Sequence, residues 1–234
     1  MRVFATEGAE NAACALAAES RDYRDAADAS GAELILFGGG PQEKLVALLE
    51  SASDRAGCVV LEARGDAGPG VPARAKAAFD AGGVAATLRT DTAYGAPIAE
   101  ILCRRMSERG VFDADTRGKA ELALHETISN AVLHGNLGFE DDWRMGAAAF
   151  RRRGEALRDG LADESRAGRL IVVAAFWTDD RATFTVTDQG PGYDLERFAD
   201  PAKRPNRGLG IVAALTHGLT LEDEGRTVSI GFQR

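Results

Sequence analysis

Hydrophobic positions in the first hundred residues fall into short runs within "RVFA", "AELILFGGG", "GCVVLEA" and "GVAATLRT". Such runs mark strands buried on both faces, as in a parallel sheet. Between them, "ENAACALAAES", "PQEKLVALLESAS" and "VPARAKAAFDAGG" are expected as helices. Pro41 opens the second, and glycines close the third. "APIAEILCRRMSERG" predicts a further helix. Strands alternating with helices predict a small α/β domain over residues 1–95, followed by a connecting helix over 96–111.

Near Phe112 the pattern changes. "DADTRGKAELALHETISNAVLHGN" predicts one long amphipathic helix with Asp113 or Asp115 as its cap. "EDDWRMGAAAFRRRGEALRDGLADESRAG" is charged and Ala-rich, and is expected to add a helix with loops. "RLIVVAAFW" and "ATFTVTD" form a hairpin across "TDDR". "QGPGYDLERFADPAKRPNRGLG" is a loop, "IVAALTH" a short helix stopped by Gly218, and "LTLED" and "TVSIGF" a last hairpin. That order predicts an α+β sandwich over residues 112–234, with helices on one face of a mostly antiparallel sheet.

Composition narrows the classes of function. Of 234 residues, 45% are hydrophobic and 27% charged, which fits a folded globular chain. A net charge of −8 argues against nucleic acid or an anionic membrane as partner. No apolar stretch approaches a membrane span, and the amino end lacks an apolar leader core. Cys14, Cys58 and Cys103 are far apart, with no CxxC pair, as expected of a cytoplasmic protein with reduced thiols.

Within the long helix, Glu126, Asn130 and His134 recur every four residues and share one side. Taken alone, such a stripe is more often a solvated helix face than a site. A zinc-peptidase motif is excluded because Ser129 stands where a second histidine is needed after His125. A phosphoacceptor role for His125 would need a helical hairpin ahead of this helix. Two glycine motifs downstream change the picture. "DQGPG" places Asp188, Gly190 and Gly192 after a strand, and "RGLGI" places Gly208, Leu209 and Gly210 against a helix.

The ordered set E-x-x-x-N-A-x-x-H-G, D-x-G-x-G and G-x-G resembles the GHKL, or Bergerat-fold, ATPases. It is most like the anti-sigma-factor serine/threonine kinases, over roughly Phe112 to Arg234. That resemblance implies ATP and Mg²⁺ as cofactors, with Asp188 reading adenine and Asn130 holding Mg²⁺. It also implies Glu126 as general base, with His134 and Gly135 completing the motif. The residue types suit these roles. A carboxylate is a strong acceptor for an amino group, glycines admit close backbone approach, and a helix start offers N–H groups to phosphate. Lys203, Arg204 and Arg207 are either a cationic lid or ordinary solvated loop charges.

The N-terminal layout resembles a response-regulator receiver or flavodoxin-like domain. The strand that should end in a phosphoacceptor aspartate ends instead in Gly38, Gly39 and Gly40. This unit is therefore expected to serve docking or dimerisation, and the expected partner is a regulatory protein such as a sigma factor or an anti-sigma antagonist. Two alternatives remain at this point. One is a non-catalytic nucleotide-dependent binding module. The other is a histidine-kinase-like domain acting on a separate phosphoacceptor chain.

Overall fold

The computed structural model describes residues 2–9, 13, 24–53, 58–62, 73–139, 147–193 and 207–234. The expected helix "ENAACALAAES" lies outside the described residues except for Ala13, as do Lys203, Arg204 and the middle of the glycine-motif loop.

Strands β1 (Arg2–Ala5), β2 (Arg24–Asp25), β3 (Leu34–Phe37), β4 (Cys58–Glu62) and β5 (Val84–Arg89) are parallel and lie in the order β2-β1-β3-β4-β5. Helices α1 (Gln42–Ser53) and α2 (Ala73–Asp80) connect them. A short helix α3 (Thr90–Gly95), not expected from the periodicity, leads into α4 (Ile98–Glu108). Helix α5 (Ala114–Asn130) follows, continued by one turn of π-helix, Ala131–Asn136. Two further helices, α6 (Ala147–Ala162) and α7 (Glu164–Ala167), lead to the hairpin β6 (Leu170–Trp177) and β7 (Arg181–Thr187). Then come α8 (Arg207–Leu215), β8 (Gly218–Glu222) and β9 (Thr227–Gln233).

Where two sheets were expected, one nine-stranded sheet runs β2-β1-β3-β4-β5-β6-β7-β9-β8. The join is β5 to β6, antiparallel from Val84↔Ala175 to Arg89↔Leu170. Pairing these strands satisfies two edges that would otherwise present unpaired N–H and C=O groups. It also accounts for the nearly continuous apolar run of β6, whose Ile171, Val172, Val173, Ala174 and Ala175 are all buried.

On one face, α1, α4, α5 and α8 cover a core that runs the length of the sheet, from Ile35 and Phe37 to Ile230 and Phe232. α2 covers the other face with Ala75 and Ala78, against Leu61, Ala85, Val172 and Ala174. Buried positions on α4 (Ile98, Ile101, Leu102, Met106) keep the three-to-four residue period that seats it on the sheet. α5 starts where Asp113 caps it, accepting from Thr116 N at 2.7 Å. Its entry is pinned by Phe112 packed edge-on to Phe232 at 5.9 Å, with Phe184 completing the cluster.

The glycines after β3 have a packing role. A Cβ on Gly38 would run into Glu7 O and Gly8 C and lie 2.5 Å from Ala9 N, while Gly38 N donates to Thr6 Oγ1 at 2.9 Å. Loops after β1 and β3 thus touch backbone to backbone. Gly38→Ala is expected to destabilise the protein by about 1–3 kcal/mol, since neither backbone can yield cheaply. Urea unfolding measures the loss.

Candidate nucleotide-binding site

Asp188 leaves the end of β7, where its N–H donates to Arg226 O at 3.0 Å. Its side chain is only 6% exposed, and its carboxylate accepts from Gly190 N at 2.7 Å. A Cβ on Gly135 would lie 2.5–2.7 Å from the Asp188 carboxyl atoms. On Gly190, a Cβ would run into the Gly135 carbonyl. The D-x-G and H-G motifs are therefore stacked on each other, and only glycine fits on both sides of the contact. Gly192 has φ +83° and packs against Glu224, while Tyr193 N donates to Gly225 O at 3.1 Å. These contacts fasten the loop after β7 to the turn before β9.

Burial pushes the Asp188 carboxyl up to about 6. The Gly190 N–H and the charges of Arg226 and Arg169 oppose this shift without cancelling it. A carboxylate this poorly hydrated gains from a ligand N–H that replaces lost water.

Asn130 is 6% exposed, which rules out a fully solvated stripe, while Glu126 and His134 are half-buried. His134 Nδ1 lies 2.7 Å from Phe139 O. A carbonyl only accepts, so Nδ1 carries the proton and the ring fastens the chain leaving the π turn. That is a hydrogen-bonding role for His134 within the chain. The π turn closes through bonds such as Leu137 N to Val132 O at 2.9 Å.

α8 packs against α5, and Leu209 is fully buried. Gly208 and Gly210 lie within the first turn of α8, because the helix begins at Arg207 and not after the glycines. The start of a helix is where first-turn N–H groups lack an intrahelical acceptor, the feature that phosphate binding at such a position uses. The Arg207 side chain, like Lys203 and Arg204, is outside the described residues.

Asn136 carries the main contacts that the motif reading missed. It is 0% exposed and joins the π turn to β6, α3 and the loop after β7. Arg169 Nη1 donates to Asn136 O at 2.9 Å. The only signal in the sequence is a polar residue directly after H-G. His125 and Ser129 instead line a groove of about 790 Å³ between α3, α4 and α5, with Tyr94, Leu122 and Val132. This groove holds neither Asn130 nor Asp188, so chemistry and volume point to different flanks of α5. We place the candidate site at Asp188 because buried polar groups converge there.

Among the described residues no group of three or more His, Cys, Asp or Glu could hold a metal. Mg²⁺ keeps several waters and takes phosphate oxygens readily. One amide oxygen from Asn130 therefore fits a Mg²⁺ that arrives with a nucleotide. No described helix is long and apolar enough to cross a membrane.

Fold and site together define an α/β sandwich with a buried carboxylate set on glycine backbone at a strand end. The family model described as histidine kinase-like ATPase domain matches residues 89–232, well over half the chain, and the chain belongs to that family. The match begins in β5, the strand that joins the two halves of the sheet. A search of curated proteins finds no match.

Proposed function

We propose that this chain is an ATP-binding signalling regulator that uses MgATP to phosphorylate or sequester a regulatory partner protein, in the manner of an anti-sigma serine/threonine kinase. The observation that carries the reading is the buried Asp188 carboxylate, clamped over Gly135 and Gly190. Membership of the ATPase family supports ATP as the ligand.

Asp188 accepts the adenine amino group, and the glycines let the base lie against backbone. The first turn of α8 offers N–H groups to the phosphates. Asn130 holds Mg²⁺, which supplies charge neutralisation at the phosphates when bound. Glu126, one turn before Asn130 on α5, takes the proton of a partner hydroxyl. The strand order β2-β1-β3-β4-β5 supports a receiver-like reading of the N-terminal half. Its β3 runs into Gly38, Gly39 and Gly40 where a receiver needs its phosphoacceptor aspartate, so this half serves docking or dimerisation.

Calorimetry tests the reading. Wild-type protein is expected to bind ATP at least about tenfold more tightly with Mg²⁺ than without it, about 1.4 kcal/mol. Asn130→Ala should bind ATP with that Mg²⁺ enhancement lost. Wild-type protein that does not bind millimolar ATP would defeat the proposal.

A further inference from the structure

We infer that Asn136 is the positioning residue for the base-reading carboxylate, and so sets how strictly the pocket separates adenine from guanine nucleotides. The inference rests on the nucleotide reading above and goes beyond it to a residue outside the glycine and Asp188 contacts.

The Asn136 side chain is fully buried, and its Oδ1 accepts from Gln189 N at 2.7 Å. Nδ2 donates to Thr90 Oγ1 at 2.7 Å and to Leu170 O at 3.2 Å. These partners fix the amide orientation: reversing it would set NH₂ against an N–H, and oxygen against the Leu170 carbonyl. The Gln189 N–H belongs to the peptide unit that begins at the Asp188 carbonyl carbon. Holding it holds the Asp188 backbone, while Gly190 N holds the carboxylate at 2.7 Å. The neighbouring Gly135 forms the surface on which that carboxylate rests. Two consecutive residues of the π turn thus locate Asp188, one through its backbone and one through its side chain.

Position matters to base choice. Adenine presents an amino donor where guanine presents an acceptor oxygen. A carboxylate held in place attracts the first and repels the second, whereas one free to swing away discriminates less. Thr90 is the control. Its Oγ1 also donates to Arg169 O at 2.8 Å, so it belongs to the same buried network without touching Gln189.

The experiment is calorimetric titration with MgATP and MgGTP, with melting temperatures recorded alongside. Wild-type protein should prefer ATP. Asn136→Ala should weaken ATP about tenfold with GTP little changed, so that the preference falls by the same factor. Thr90→Val should lower the melting temperature and leave the preference intact, because Leu170 O and Gln189 N still hold the Asn136 amide. If Asn136→Ala does not fold, Asn136→Asp and Asn136→Ser take its place. In its protonated form the aspartic acid keeps an acceptor for Gln189 N and an O–H donor towards Thr90 Oγ1 and Leu170 O, and should retain the preference; the serine is too short to reach Gln189 N and should lose it.

An unchanged preference in folded Asn136→Ala, or an equal fall in Thr90→Val, overturns the inference. So does a wild-type protein that binds ATP and GTP alike. Wild-type protein that binds no ATP defeats the nucleotide reading itself, and this inference with it.

Discussion

Asp188→Asn is expected to weaken ATP binding by about 10- to 100-fold while making the nucleotide-free protein more stable at pH 7.5. The loss of binding follows from the Gly190 N–H, which donates to Asp188 Oδ1 at 2.7 Å. In the amide that N–H keeps the oxygen, leaving NH₂ to face the adenine amino group, donor against donor. Hydrogen bonds to charged groups are worth about 1.5–3 kcal/mol, which sets the range. The gain in stability follows from the carboxyl being raised by burial to about 6, above the ordinary value near 3.9. Folded protein therefore keeps a proton that unfolded protein releases. The stabilisation from this group is full below about pH 4 and is lost as pH rises through about 6. About two pKa units correspond to about 3 kcal/mol at most. Asparagine avoids that loss, so the two proteins should differ in melting temperature at pH 7.5 and converge near pH 4. Wild-type ATP affinity should itself fall below about pH 6 as the carboxyl takes up its proton. A variant with unchanged ATP affinity would remove Asp188 from the base-reading role.

Gly190→Ala should abolish saturable ATP binding and cost about 1–3 kcal/mol or more in stability. The added methyl would enter the Gly135 carbonyl, and Gly135 has no room to retreat because Asp188 lies against it. Gly210→Ala is the contrast. A Cβ there meets nothing within 4 Å, and the position is helical, so up to about 1 kcal/mol of stabilisation is expected. Any loss of ATP affinity in Gly210→Ala would report on the ligand's approach alone. Denaturant unfolding and calorimetry on the two variants separate these effects. Similar destabilisation in both would show that the stacking of the two motifs does not govern the site.

The two glycine motifs look alike in the sequence, and the structure gives them different work. Gly190 and Gly135 are needed for each other, while Gly210 has open space. Asp188 was legible because a carboxylate between a strand and two glycines is a local pattern. So was the Asp113 cap, a contact across three residues. Asn136 was not, because its partners Thr90, Leu170 and Gln189 lie 46, 34 and 53 residues away. No spacing rule links such positions.

Local periodicity by itself determined most of the strands and helices, the one-sided helical face of the second half, and the placing of the motif residues on α5 and just after β7. Hydrophobic pattern and capping act over a few residues, so a sequence states them directly. Three features were decided by tertiary structure: the fusion of the sheet through β5 and β6, the stacking of Gly135 on Asp188 and Gly190, and the burial of Asn136. Each depends on which distant edges and loops meet. That is settled by pairing exposed backbone groups and filling buried space, and neither leaves a mark in the order of neighbouring residues.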